Sequence, residues 1–189
     1  MSLVAKIFQK IKLPKALNKY FHLNELSIKR LSENNRFYPG HIAKHKDEPV
    51  KDKFQIAHHP VYGEGVVSKV FFSCGQLLFR FDGSLRHDQT LYTLQIEPGL
   101  YIEDLYFMGK VLHSCEPNTF IDMKSQECWC SRPIQPGDFV TIDYEATEDE
   151  LFRSFQCQCG SSNCRGQIVG RNKITITALA VPLTDSKVT

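Results

Sequence analysis

Three thiols lie within eight residues, Cys157-Gln158-Cys159 and then Cys164, in a Gly/Ser-rich loop. That spacing suits metal ligation. Zinc is the expected ion, because tetrahedral thiolate coordination is its usual structural form. A fourth ligand must come from elsewhere, and on spacing alone Cys115 and the pair Cys128/Cys130 compete for the place. Three other stretches hold residue types that could do chemistry. Gly63-Glu64-Gly65 lets the backbone approach a ligand closely and present bare amides to it. It has no third glycine and no following helix, so it is no dinucleotide fingerprint, and alone it reads as a turn. His113-Ser114-Cys115-Glu116-Pro117-Asn118 sets polar side chains between apolar segments and ends in a Pro-Asn turn, which predicts an ordered loop. Gly137 to Tyr144 alternates like a strand and ends in an Asp-Tyr pair. A strand-terminal tyrosine without other support is more often rim or core than catalytic.

The elements that must position these groups are short. Val66 to Phe72, a Ser73-Cys74-Gly75 turn and Gln76 to Phe81 read as strand, turn, strand. Leu91 to Ile96 reads as a strand stopped by Glu97-Pro98-Gly99. Cys128 to Ser131 and Phe139 to Tyr144 read as strands either side of the Gln135-Pro136-Gly137 turn. Thr147 and Glu150 match a capping box and predict a helix opening at Glu148. Earlier in the chain, Leu3, Val4, Ile7, Phe8 and Ile11 recur at helical spacing up to Pro14. A second helical stretch runs from about Leu23 to Leu31, and Tyr38-Pro39-Gly40 with the Lys-rich segment to Lys53 reads as loop or linker. The reading is a mostly-β catalytic body over residues 54–152, a zinc segment over 153–170 and a tail over 171–189. A basic, partly helical extension over residues 1–53 precedes them.

Composition narrows the class. At 189 residues, 42% hydrophobic and 23% charged, the chain suits one compact soluble domain plus an extension, expected to act as a monomer. It has no run of about 18 apolar residues, which excludes a helical membrane span. Met1 to Leu13 lacks a signal-peptide core and cleavage site, so secretion by that route is not expected. Seven cysteines, an odd number, favour an intracellular, reducing compartment over a disulfide framework. Residues 1–50 hold ten Lys/Arg against four Asp/Glu, a net +6, and the remainder thirteen against seventeen, a net −4. A basic arm on an acidic body points to nucleic acid or an anionic surface as a contact for the arm, although such a charge run is more often a solvated helix face. From Pro133 to Phe152 there is no Lys or Arg, but six Asp/Glu. An acidic rim favouring lysines in basic surroundings is one expectation from that stretch.

In this order the pieces resemble the SET-domain protein lysine methyltransferases that carry a post-SET zinc segment. Tyr62-Gly63-Glu64-Gly65-Val66-Val67-Ser68-Lys69 is similar to the family's cofactor-binding entry. His113 to Asn118 resembles its Asn-His-Ser-Cys-x-Pro-Asn motif, Gly137 to Tyr144 its Gly-Glu-Glu-Leu-Thr-x-Asp-Tyr motif, and Cys157-x-Cys159-x4-Cys164-x-Gly166 its post-SET segment. The resemblance covers roughly Phe54 to Gly170, without a cysteine-rich pre-SET segment. It implies small curved sheets around a knot-like crossing, where the segment ending at Tyr144 passes beneath a loop near His113. It further implies S-adenosylmethionine held by Gly63, Glu64, Gly65 and the main chain at Leu112 and His113, and Tyr144 as the catalytic tyrosine. Zinc would be held by Cys115, Cys157, Cys159 and Cys164, leaving Cys128 and Cys130 to a strand. The substrate would be a lysine of a protein or peptide, histone tails among them. Leu112 stands where the motif has Asn. Phe81, Ile121 and Ile142 stand where aromatic hydroxyls often line the lysine channel, so that channel is expected to be apolar. Leu112 also supports an alternative from another class, a catalytically inactive SET-like module that binds peptides or chromatin.

Overall fold

The computed structural model describes residues 34–172. The two helices read within residues 1–33 lie outside the described residues, as does the tail beyond residue 172. Short strands dominate, arranged in five small sheets. β1 (Phe54–His59) and β2 (Gly63–Ser68) form an antiparallel hairpin. Gly63 closes it at φ +81°, a conformation that side-chain-bearing residues adopt only under strain. The strand expected to run through to Phe72 stops at Ser68. Its hydroxyl donates to the Val70 carbonyl at 2.6 Å and accepts the Val70 N–H at 3.3 Å, which turns the chain. Phe72 then bridges to Ile134 instead.

β3 (Leu77–Arg80), β4 (Ser84–Arg86), β5 (Thr93–Glu97) and β6 (Leu100–Glu103) follow. A 3-10 turn at Met108–Lys110 leads into β7 (Leu112–His113). β8 (Thr119–Asp122) and β9 (Glu127–Cys130) form a three-stranded sheet with β3 in the order β3-β9-β8, and β4-β6-β5 form another. The expected strands at Gln76–Phe81, Leu91–Ile96 and Cys128–Ser131 correspond to β3, β5 and β9 within two residues. β10 (Thr141–Ile142) pairs in parallel with β7, and β11 (Phe155–Gln156) pairs with β12 (Gln167–Ile168) across the cysteine loop.

The helix signal was misplaced. α1 spans Tyr144–Thr147 and ends where the capping box predicted a beginning. Asp143 is the cap, accepting from the Glu145 N–H at 3.1 Å. The Thr147 hydroxyl turns back to the Tyr144 carbonyl at 3.3 Å, and Glu148 is taken up by β5, accepting the Gln95 N–H at 2.9 Å.

A cluster of phenylalanines fills the core. The Phe54 ring stacks on Phe72 (centroids 5.5 Å, 10° between planes) and meets Phe79 and Phe107 edge-on at 5.5 and 5.3 Å. Each such ring contributes about 2 kcal/mol by leaving water. Residues 38–53, read as loop or linker, are built onto this body together with Arg36. Arg36 bridges to Val50 and donates to both oxygens of the buried Glu48 at 2.6 and 2.9 Å. The buried Tyr38 hydroxyl donates to Asp104 at 2.9 Å. Asp104 in turn accepts the N–H groups of Tyr106, Phe107 and Met108 at 2.8, 3.0 and 2.8 Å, fixing the turn that delivers β7. Among the described residues no helix is long and apolar enough to cross a membrane.

The crossing is held by two neighbouring side chains. Asn118 donates to the Phe139 carbonyl at 2.8 Å and accepts the Thr141 N–H at 2.8 Å. The Thr119 hydroxyl donates to the Thr141 carbonyl at 2.7 Å. The Pro-Asn turn that closes the His113–Asn118 loop thereby grips the strand that ends in Asp-Tyr.

Candidate active site and metal centre

The β11–β12 hairpin carries Cys157, Cys159 and Cys164 to Cys115, at the end of β7. The four sulfurs lie within 4.8 Å of one another, with Cys115 Sγ and Cys157 Sγ 3.9 Å apart. Four thiolates on a tetrahedral zinc at about 2.3 Å would sit about 3.8 Å apart, so the set fits that ion. Its electrostatics ask for a cation. Burial, aided by the neighbouring thiols, pushes Cys157 up to about 12. Desolvation raises Cys159 too, but hydrogen bonds from Ser161 outweigh it and hold that thiol down to about 5. Neutral and ionised thiols packed this closely are the condition that a divalent ion relieves. Cys128 and Cys130 are buried on β9, away from this cluster, and burial pushes Cys128 up to about 12.

His113 joins the cysteines to Tyr144. Its Nδ1 accepts the Tyr144 N–H at 3.2 Å, which leaves the ring proton on Nε2, 3.4 Å from Cys115 Sγ. Burial pushes this imidazole down to about 4, so it is neutral. Its ring packs against those of Tyr144 and Phe155, with centroids at 5.2 and 5.7 Å. Arg165, directly after the last cysteine, clamps the residues on both sides of Tyr144. It reaches Asp143 at 2.8 and 2.5 Å and Glu145 at 3.0 Å, and its own N–H points at Cys115 Sγ at 3.3 Å. The two carboxylates raise its pKa further, Asp143 foremost.

Tyr144 lines a cavity of about 260 Å³ whose inner wall includes Leu94, Met108, Val111 and Ile142. Its hydroxyl donates to the Val111 carbonyl at 2.7 Å. Burial, and secondarily the charge of Glu148, pushes the phenol above its ordinary value, so it stays protonated. Glu148 lines the same cavity, and burial pushes its carboxyl up to about 7. Of the three residues assigned to the channel, the structure brings only Ile142 here. Phe81 is buried in the core behind β3, and Ile121 packs from β8 against that core. Leu94, Met108 and Val111, with Ile142, make the apolar part of this wall, and Thr93, Thr147 and Glu148 line it too.

A second cavity, of about 320 Å³, is lined by His59, Tyr62, Leu112, His113, Ser114 and Cys159, among others. There the hairpin tip, β7 and the cysteine segment meet, and the Tyr62 hydroxyl accepts the Gln158 N–H at 2.7 Å. Gly65 lies beside it with its α-carbon closed off. A Cβ there would stand 2.7 Å from Leu112 Cδ1 and 2.8 Å from the Phe139 ring. The leucine at the motif's Asn position is thus a packing residue that fits only because position 65 is glycine. Glu64 points to an ion pair with Lys110, whose ammonium lies 5.5 Å from the centre of the Tyr92 ring. The sequence reading gives no part to Arg165, Phe155 or Val111, and names Tyr62 only as the start of the cofactor-binding entry. For Arg165 the signal is its place between Cys164 and Gly166 of the post-SET segment.

Comparison with known proteins bears on these pieces together. No protein-family model matches the chain. Over 122 residues, 63% of its length, the chain is 33% identical to methyltransferase flvH of Aspergillus flavus and covers 68% of that protein. It is 26% identical over 156 residues to the histone-lysine N-methyltransferase ash1 of Drosophila melanogaster, spanning only 7% of it. It is 35% identical over 75 residues to the histone-lysine N-methyltransferase SETD2 of Homo sapiens, spanning 3% of it. Crystal structures of KRYPTONITE share the fold. One, with mCHG DNA and SAH, matches with a TM-score of 0.52 at 24% identity, covering 60% of this chain and 28% of that one. Another, with mCHH DNA, an H3(1-15) peptide and SAH, matches with a TM-score of 0.51 at 23% identity. With a relative matched over two-thirds of its length, the motifs in order, the crossing in place and four thiols converged, the chain belongs to the SET-domain methyltransferases with a post-SET cysteine segment.

Proposed function

We propose that the chain transfers a methyl group from S-adenosylmethionine to the side-chain amine of a protein lysine, in a site built around Tyr144 and closed by a structural zinc on Cys115, Cys157, Cys159 and Cys164. The observation that carries this reading is the Tyr144 hydroxyl, donated to Val111 O beside the apolar inner wall of the cavity that Leu94, Met108, Val111 and Ile142 form. When bound, S-adenosylmethionine supplies a sulfonium methyl to the amine lone pair, the carbon–sulfur electrons staying with sulfur. The chain's own residues do the rest. Leu94, Met108, Val111 and Ile142 desolvate an entering ammonium and lower its pKa, which favours the neutral, nucleophilic amine. The Tyr144 oxygen and the Val111 carbonyl offer acceptors to the amine protons and the polarised methyl, and a fixed geometry supplies most of the acceleration.

The donor's place is the meeting of the hairpin tip, the Leu112–His113 main chain and the cysteine segment. Glu64 is free to take part only once its pair with Lys110 opens. Leu112 removes a side-chain contact there but leaves the main chain, and the complete surroundings of Tyr144 argue against an inactive module. Histone tails are one substrate class that fits the relatives, and a nuclear or other intracellular location fits the same relatives and the free thiols. The test is label transfer from S-adenosylmethionine to a pool of lysine peptides by the wild type and by Tyr144→Phe. Loss of one placed hydroxyl costs ~3 kcal/mol, about a hundredfold in rate. Equal turnover by the two proteins would remove Tyr144 from the mechanism.

A further inference from the structure

Of the six acidic residues between Pro133 and Phe152, five have partners within the fold and Glu150 stands exposed at the cavity lip. Asp143 and Glu145 are held by Arg165, and Asp149 by Arg171 at 2.9 Å. Asp138 accepts the Gln135 N–H at 2.8 Å, and Glu148 accepts that of Gln95. Among the described residues, Glu148 is the one carboxylate lining the Tyr144 cavity, and it is buried. The mouth has a different chemistry. Leu91, 58% exposed, and Phe152, 52% exposed, line it from opposite lips with Leu151 beside them, and Arg153 brings a cation. The lips are tied to one another. Gln89 Nε2 donates to the Glu150 carbonyl at 2.7 Å, and Gln95 exchanges two bonds with Asp149 at 2.6 and 2.7 Å.

We propose that this site selects lysines whose immediate neighbours in the substrate chain include a large apolar side chain, and that it disfavours lysines flanked by Arg or Lys. The inference rests on the lysine-methyltransferase reading and names its substrate class. A segment presenting a lysine to Tyr144 has to cross the lips, because the exposed Leu91 and Phe152 side chains belong to the same cavity as the hydroxyl. Two large apolar groups on lips joined by a preformed tie make a seat for an apolar side chain next to the target. The one buried carboxyl within already accepts the Gln95 N–H, which leaves nothing inside for a second cation. With Arg153 at the mouth and five of the six acidic groups paired internally, further cations on the substrate meet repulsion that Glu150 alone offsets.

The experiment is a lysine-centred peptide array in which each flanking position carries Leu, Phe, Ser, Glu or Arg. It is read by label from S-adenosylmethionine with the full chain and with Leu91→Ser and Phe152→Ser. The expected result is at least tenfold more label on peptides with a neighbouring Leu or Phe than on those with Arg. Each variant should raise KM for the apolar peptides by about tenfold, ~1.4 kcal/mol, with the affinity for S-adenosylmethionine unchanged. Label spread evenly over the array, or greatest on Arg-flanked peptides, would overturn this inference and leave the proposed function standing. So would variants that weaken S-adenosylmethionine binding instead of peptide KM, since the patch would then belong to the donor. No label on any peptide, with the donor bound, would overturn the function and the inference together.

Discussion

Removing the Arg165 guanidinium tests how the cysteine segment governs the tyrosine. Arg165 makes a bidentate contact with Asp143 at 2.8 and 2.5 Å, and the two side chains are 30% and 21% exposed. Breaking a fully buried pair costs about 3–5 kcal/mol, whereas an exposed pair is worth about 1 kcal/mol or less. A contact between these limits, shared with Glu145, should couple by about 2 kcal/mol. For a domain of this size that lowers Tm by roughly 4–8 °C. The kinetic effect should be larger than the stability effect implies. Asp143 caps the helix that Tyr144 opens, and a misplacement of about 1 Å at a reacting group costs about a hundredfold. The assay is a double-mutant cycle with Arg165→Ala, Asp143→Ala and the pair, read by denaturant unfolding, by kcat on one good peptide and by zinc content. The cycle cancels the cap that Asp143→Ala also loses, about 1 kcal/mol. Zinc should stay at one per chain while kcat falls. A coupling energy near zero, or an Arg165→Ala protein turning over like the wild type, would refute the clamp.

The remaining predictions are independent of that cycle. Cys115→Ser should lose the zinc and Cys128→Ser should keep it; elemental analysis showing the reverse would reject the ligand set. The Glu148 carboxyl titrates at about 7 in the fold against an ordinary 4.5, so its protonation favours the folded state. That contribution is complete below pH ~4.5 and is lost as pH rises through 7. Glu148→Gln keeps an oxygen for the Gln95 N–H and should flatten the fall of Tm from pH 5 to pH 8, gaining roughly 2 kcal/mol at the upper end; an unchanged profile would count against this. Deleting residues 1–33 should leave peptide turnover within about twofold and weaken, in a salt-dependent way, whatever grip the basic arm has on a DNA duplex. Deleting to residue 50 should instead cost the fold, since Arg36–Glu48 and Tyr38–Asp104 go with it, and melting curves of the two truncations separate these outcomes.

What could be read from the chain alone depended on whether a residue's partner was near it in sequence. Alternation revealed β3, β5 and β9, and the Cys-x-Cys spacing revealed three of the four thiols that converge, because those signals are local. Asp143 was quoted without its role as a cap, because Thr147 and Glu150 offered a better-looking capping box three residues apart. The box failed because Glu148 has a long-range partner in Gln95, which no local rule can see. Two of the three channel residues fall outside the cavity for the same reason. Phe81 and Ile121 were placed by analogy of position, whereas Leu94, Met108 and Val111 reach the cavity through the turn that Asp104 anchors. Leu112, read as a lost polar contact, is explained only by the proximity of Gly65 and Phe139, from segments 47 and 27 residues away in sequence.

The parallel pairing of β7 with β10 also sets an order of events during synthesis. A chain that has emerged as far as Tyr144 has the phenylalanine core and both antiparallel three-stranded sheets, built from neighbouring segments that close early. It still lacks Phe155, Arg165 and three of the four thiols. Cys115 waits for partners some forty residues downstream, and the clamp on Asp143 arrives after the last of them. The tyrosine is therefore made long before its surroundings are, and a nascent or C-terminally clipped chain would be folded in its body yet silent. Competence arrives in a single late step, when the final hairpin folds back onto a body already formed.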